Sequence, residues 1–244
     1  MKLRVLDSGS SGNCYLLEND KEILILELGI SIKRIVSIID PYKVVGALVT
    51  HEHKDHSKAI KEAIQRGIKI YATQGTIKAC LDEKNYFCKE IAFRQEYKIG
   101  SFKVIPFQTE HDAAEPCGFL IKHKDMGTLL FATDTYYVRY NFKHVNHWMI
   151  ECNYSAEILD RNVALGHVPP RLADRIITSH FELDHVKEFF LAKDLRQTRN
   201  IVLLHLSDSN SNEVEFQQVI EKATRKQTHI ANKGLVVDLS LCPF

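Results

Sequence analysis

The chain has little that would mark a secreted, membrane-bound or repetitive protein. Its six cysteines (Cys14, Cys80, Cys88, Cys117, Cys152 and Cys242) include no C-x-x-C pair, and 244 residues can build a core without a disulfide framework. Six scattered thiols fit a reducing compartment. The longest apolar run near the N-terminus, residues 23–26, is far too short to cross a bilayer. Residues 1–7 carry neither an apolar core nor a cleavage signature. The expected location is therefore cytoplasmic, with no membrane partner. No Pro/Gly/Ser-rich linker and no low-complexity segment divides the sequence, so residues 1–244 read as one domain. Charge of one sign is also lacking: 32 basic against 31 acidic residues leave +1. No global field exists to capture nucleic acid, and any such role rests on a local site. What is present, 45% hydrophobic and 26% charged residues, is the composition of a globular protein and excludes collagen-like, coiled-coil and disordered classes.

Strand and helix signals alternate along the chain. Residues 14–17 and 22–26 read as a hairpin around Glu18-Asn19-Asp20-Lys21. Ser31 is a helix-cap candidate before Ile32, Ile35, Val36 and Ile39. Residues 44–49 form a continuous apolar run, as expected of a strand buried on both faces. An amphipathic stretch with Ala59, Ile60, Ala63 and Ile64 follows, ending near Gly67, and residues 68–72 return as a strand. Further strands are expected over 102–107, 118–121 and 128–132. Later, three short apolar runs read as strands leading to polar residues: 148–150 to Glu151, 175–177 to His180, and 201–204 to His205. Ligand sites of α/β sheets lie at such strand ends. Residues 51–56 and 180–185 share a His-x-x-x-Asp-His frame, either an internal echo or chance.

The chemistry is concentrated after the buried strand. His51-x-His53-x-Asp55-His56 places four potential metal ligands within six residues. In an extended segment His51 and His53 project to one side, while Asp55 and His56 stand at a helix entry and can turn to a neighbouring point. Two metal centres are geometrically reasonable; a solvated loop with incidental histidines is the alternative. His111, Asp134 and His205, each after an apolar run, could complete the centres. Singly, each could equally be a turn residue, an Asx turn or a core histidine.

With these motifs the chain resembles the metallo-β-lactamase-fold superfamily, whose H-x-H-x-D-H motif His51-Glu52-His53-Lys54-Asp55-His56 matches. The resemblance covers most of the chain and implies an α+β fold, a four-layer αββα sandwich. A closer likeness is to the YycJ/WalJ-type branch, small members regarded as DNA exonucleases. Its marks are residues 8–13 (Ser-Gly-Ser-Ser-Gly-Asn), His111-Asp112-Ala113, residues 132–135, Glu151-Cys152-Asn153 and His205-Leu206-Ser207. The resemblance implies that His51, His53 and His111 hold a first metal, Asp55, His56 and His205 a second, and that Asp134 bridges them. Glu27 stands where the family usually has an Asp that orients the histidine motif. Glu151 and His180 resemble a Glu and a His that assist catalysis in phosphodiesterase members such as tRNase Z. The branch usually has Gly-His-Leu-Ser-Asn around the latter, and this chain has Ser179-His180-Phe181-Glu182-Leu183. His185, with Glu182 and Asp184, reads as a solvated helix start.

An imidazole and carboxylate set without thiolate suits two divalent ions, Zn²⁺ first and Mn²⁺ second. A metal pair sharing a hydroxide, with Asp55 orienting it and accepting its proton, implies hydrolysis. His180 would donate to the developing charge or the leaving group, oriented by Glu151. The expected function is a phosphodiesterase or nuclease, DNA exonuclease-like, with nucleic acid (DNA more than RNA) as partner. Tyr136, Tyr137 and Tyr140 could stack a base or pack at a rim. The basic residues, among them Arg34, Arg139, Arg175, Arg196 and Arg199, are dispersed. The alternatives are a hydrolase of a small ester, thioester, lactone or lactam, with an apolar substrate pocket, and a non-enzymatic metal-sensing protein. The oligomeric state has no signature in the sequence.

Overall fold

The computed structural model describes residues 1–242. Through residue 108 the chain forms β1 (Lys2–Asp7), β2 (Cys14–Glu18), β3 (Ile23–Leu26), α1 (Ile32–Val36), β4 (Val44–Leu48), α2 (Lys54–Ser57), α3 (Ile60–Gln65), β5 (Ile70–Ala72), α4 (Gln74–Cys80), β6 (Cys88–Glu90), β7 (Tyr97–Ile99) and β8 (Phe102–Gln108). The remainder adds β9 (Cys117–His123), β10 (Gly127–Ala132), β11 (His147–Glu151), α5 (Ala156–Ala164), α6 (Pro170–Ser179), α7 (Leu183–Leu191), β12 (Asn200–Leu204), α8 (Glu213–Thr224), β13 (Gln227–Ile230) and β14 (Val236–Asp238). Strand pairing yields two seven-stranded sheets. The chain divides into two compact units, one comprising residues 1–108, 113–127 and 232 onward, the other residues 109–112 and 128–231.

The first unit holds the sheet ordered β14-β1-β2-β3-β4-β5-β6. The β2–β3 hairpin is antiparallel, and its turn is closed by Asn19, whose side-chain oxygen accepts from the backbone N–H groups of Lys21 and Glu22. From β3 onward the strands run parallel, so β4 and β5 need a crossover. The stretch carrying α2 and α3 supplies it and sets Ala59, Ile60 and Ala63 against Ile25, Ala47 and Ile70 in one buried cluster. β4 has no polar side chain, as expected of a strand covered on both faces. The unit also contains the antiparallel strands β7, β8 and β9.

In the second unit β10, β11, β12 and β13 are parallel neighbours. Their carboxyl ends therefore lie along one edge, with Ala132 beside Ile150 and Glu151 beside Leu204. Trp148 is fully buried and donates its indole N–H to Thr198 Oγ1 at 2.9 Å. The helices α5 to α8 belong to this unit, α7 capped by the Glu182 carboxylate, which accepts from the N–H groups of Asp184 and His185. His185 and Asp184 are exposed, the solvated helix start expected. Among the described residues no helix is long and apolar enough to cross a membrane.

One expected strand is corrected. Residues 175–177 lie in α6, which opens on Pro170, a residue suited to the first helical turn. Ala173 is buried and Ile176 half-buried while Leu172 and Ile177 face solvent, the spacing of one helix face. A three-residue apolar run is too short to show that period. His180 thus terminates a helix, whereas His51 follows a strand, so the two His-x-x-x-Asp-His segments have different structural settings.

Candidate metal centre

The first unit gathers His51, His53, Asp55 and His56 where the chain leaves β4 and enters α2. The His51 ring centroid lies 4.7 Å from that of His53 and 4.2 Å from that of His56. Thr50 Oγ1 is 2.9 Å from His51 Nδ1, and engagement of one ring nitrogen selects the other for a metal. His56 is fully buried, its Nδ1 3.5 Å from Glu27 Oε2 and its Nε2 3.2 Å from Asp55 Oδ2. Glu27 also accepts from the Thr50 N–H at 3.3 Å. The longer glutamate thus reaches both the histidine motif and the backbone before it. Burial pushes the Glu27 carboxyl above its ordinary range, against the opposing pull of His56 and Thr50.

The small-residue loop at 8–13 has a structural part that its sequence did not disclose. Asn13 Nδ2 lies 3.1 Å from His56 Nε2 and donates to the Asp55 carbonyl at 3.3 Å. The Asn13 N–H donates to the same carbonyl at 2.7 Å, and the Gly29 N–H donates to the Asn13 carbonyl at 2.9 Å. A Cβ on Gly29 would stand 1.6 Å from the Asp55 carbonyl oxygen, so only glycine permits this approach.

The second unit gathers His111, Asp134, Glu151, His180 and His205. Asp134 and His205 follow the ends of β10 and β12, and Glu151 is the last residue of β11. His180 caps α6, and His111 Nδ1 lies 3.1 Å from the Ser179 carbonyl. His111 Nε2 is 3.6 Å from Asp134 Oδ2, and His205 Nδ1 is 3.5 Å from Asp134 Oδ1. Glu151, fully buried, is the hub. Its Oε1 lies 2.6 Å from His180 Nδ1 and 3.3 Å from His205 Nδ1, while its Oε2 accepts from the N–H groups of Thr135 and Phe181 at 2.8 and 3.3 Å. Burial opposes ionisation of Glu151, but His180 beside it and the hydrogen bonds hold its carboxyl below the ordinary range. Burial likewise disfavours a charged His180, and the Glu151 carboxylate outweighs it, raising His180. His111 is lowered by burial, which Asp134 offsets only in part.

Three of these side chains hang from left-handed backbone, with φ of 65° at Glu27, 47° at Asp134 and 53° at His205. Non-glycine residues enter this region at a cost, and such strain concentrates at working sites. The sequence disclosed it poorly: Asp and His enter this region more often than most residues, but the great majority of them do not.

The donors suit a divalent cation. Asp134, Glu151, His180 and His205 each offer a nitrogen or oxygen within 4.8 Å of the others. All are imidazole or carboxylate, a set matching ions of intermediate hardness. Sequence reasoning missed Asn13, Thr50 and Thr135, which orient the candidate ligands rather than supply donors.

Residues 33–173 match the beta-lactamase superfamily domain. The chain is 29% identical to exodeoxyribonuclease WalJ of Streptococcus pneumoniae, covering 98% of this chain and 93% of that protein. It is also 29% identical to exodeoxyribonuclease YycJ of Bacillus anthracis, over 89% of this chain and 88% of that protein. Among solved structures, the metallo-β-lactamase-fold protein YhfI from Bacillus subtilis superposes with a TM-score of 0.75 at 16% identity, covering 97% of this chain and 99% of that one. More than half of the sequence falls within the family match, and the likeness to YhfI gives the fold: the chain belongs to the β-lactamase superfamily, as a hydrolase with the α+β metallo-β-lactamase fold.

Proposed function

We propose that this protein is a binuclear metal-dependent phosphodiesterase, a DNA exonuclease-like nuclease. The observation that carries the reading is the Glu151–His180 pair, a buried carboxylate 2.6 Å from an imidazole nitrogen at the edge where Asp134 and His205 emerge. The two relatives named exodeoxyribonucleases support it. His51, His53 and His111 are assigned to one ion, Asp55, His56 and His205 to a second, and Asp134 to both. Residues 1–244 are assigned to a single functional domain. Two divalent ions held by these donors, Zn²⁺ first and Mn²⁺ second, would supply Lewis acidity and would lower the pKa of water at the site toward about 7.

The chain's own groups do the rest. Asp55 accepts the proton released as water attacks. A carboxylate accepts and never donates, so the Glu151 contact fixes a proton on His180 Nδ1. That leaves Nε2 to donate to a phosphoryl oxygen or to the departing oxygen. The raised affinity of His180 for a proton suits a donor. Long-range capture contributes little, because Arg34, Arg139, Arg175 and Arg196 pair with Asp7, Glu110, Asp112 and Asp194. DNA is preferred over RNA in this reading. The free cysteines fit a cytoplasmic setting.

A second reading, hydrolysis of a small ester, thioester, lactone or lactam, is favoured by one feature, an aromatic-walled cavity of about 440 Å³ in the second unit. One experiment separates the two. Metal-loaded protein is incubated with labelled single- and double-stranded DNA and RNA, with bis-p-nitrophenyl phosphate, and with a chromogenic lactam. Cleavage of DNA and the phosphate diester is expected. Turnover of the lactam alone would overturn the proposal.

A further inference from the structure

The same cavity carries an inference about what the substrate presents. Its walls include Tyr136, Tyr137, Phe181, Phe189, Glu188 and Lys193. Both sides of it are tied to the Glu151 carboxylate. On one side the Thr135 N–H donates to Glu151 Oε2, and Tyr136 and Tyr137 follow directly. On the other, His180 Nδ1 contacts Oε1, the Phe181 N–H donates to Oε2, and the Phe181 side chain lines the cavity. Both walls are thus anchored, through the Thr135 and Phe181 N–H groups, to the carboxylate that engages His180.

The floor is rigid. Phe181 meets Phe189 edge-on at 5.9 Å, and Phe189 meets Trp148 and Phe190 at 5.8 and 5.3 Å. The rim is preset as well: Thr135 Oγ1 donates to the Tyr137 carbonyl at 2.8 Å, and the Tyr136 N–H donates to the Glu110 carbonyl at 3.3 Å. Above this backbone Tyr136 and Tyr137 stay 42% and 52% exposed at the cavity mouth, accessible to a flat occupant. Lys193 places its ammonium 4.5 Å over the Phe189 ring, and Glu188 lines the same cavity. Aromatic faces combined with one cationic donor and one anionic acceptor match a heterocycle with a π-face and a hydrogen-bonding edge. An acyl chain would use neither charge. The volume lies in the range of small-molecule sites.

We infer that this cavity receives the base of the substrate's terminal nucleotide, drawn out of its stack while the adjoining phosphodiester meets His180. The inference rests on the phosphodiesterase reading above and adds to it an unstacked terminal base as the recognised element.

The test uses labelled DNA oligonucleotides, single-stranded and as duplexes, whose terminal nucleotides are either intact or abasic. For the wild-type protein kcat/KM is expected to favour the intact end by about 5- to 150-fold, the range of base–aromatic stacking. Tyr137→Ala should shrink that ratio at least fivefold, and Tyr137→Phe should retain it. Ala192→Trp, which fills the cavity from an exposed position, should bring it close to one. Thermal melting verifies that each variant is folded. A wild-type ratio near one, or a ratio unchanged by both Tyr137→Ala and Ala192→Trp, overturns the base pocket and leaves the phosphodiesterase reading standing. Failure to cut any oligonucleotide while the lactam is turned over overturns that reading and the pocket assignment with it.

Discussion

Replacing Gly29 by alanine tests how the candidate ligands of the first unit are held. The added methyl would meet the Asp55 carbonyl oxygen at 1.6 Å and the Asn13 nitrogen at 2.6 Å, both backbone atoms that cannot rotate aside. The segments must separate by about an ångström or more. That breaks or stretches three hydrogen bonds: Asn13 N–H to the Asp55 carbonyl, Gly29 N–H to the Asn13 carbonyl, and Leu28 N–H to the His56 carbonyl, at 2.7, 2.9 and 2.8 Å. At about 0.5–1.5 kcal/mol each, the loss is about 2–4 kcal/mol. For a chain of this length that corresponds to a Tm lower by about 5–15 °C. Because Asp55 and His56 ride on the displaced segment, the purified variant should also retain clearly less metal per chain than wild type. Differential scanning fluorimetry and elemental analysis read the two effects. Gly166→Ala is the reference: φ is +74° there but nothing lies within 4 Å of the new methyl, so about 1–2 kcal/mol should be lost without loss of metal. A Gly29→Ala protein that melts with wild type and keeps its full metal content would refute the interlock.

Other outcomes follow from the same geometry. Asp55→Ala should abolish hydrolysis and leave most of the fold intact by circular dichroism, since that side chain lies at the boundary of the core; unchanged turnover would remove it from the mechanism. His180→Ala should reduce kcat by at least about 100-fold while metal content stays near wild type, as expected for lost acid–base assistance. Equal loss of both would make His180 a ligand. In native protein, mass spectrometry after alkylation at pH 8 should find exposed Cys242 modified first and buried Cys14, Cys117 and Cys152 protected. Burial pushes the Cys88 thiol up to about 11, so its thiolate fraction and alkylation rate should keep climbing between pH 9 and about 11. A rate that levels off by pH 10, as for a thiol at its ordinary value, would contradict that environment.

The candidate ligands of the first unit could be picked out in sequence because His51, His53, Asp55 and His56 are neighbours and the strand before them has no polar residue to confuse its reading. Asp134, Glu151 and His205 were legible for a different reason. Each follows a run of β-branched or apolar residues, and parallel pairing in one sheet brings such ends to a common edge. His180 was placed after the wrong element, since Arg175-Ile176-Ile177 is as compatible with one helical turn as with a strand. Asn13, Thr50 and Thr135 could not be singled out: hydroxyls and amides in turns are common, and their value here comes from partners far away in sequence, as with Asn13 and His56. Gly29 had no signal at all, because a lone glycine does not declare which carbonyl it must admit.

The left-handed backbone at Glu27, Asp134 and His205 sets a limit on how far this protein can be made more robust. A glycine at any of the three would relax its segment by about 1–3 kcal/mol, yet would delete a group on which the proposed chemistry depends. Selection for thermal resistance alone would therefore push these positions away from activity, and a library screened only for heat tolerance should enrich inactive chains there.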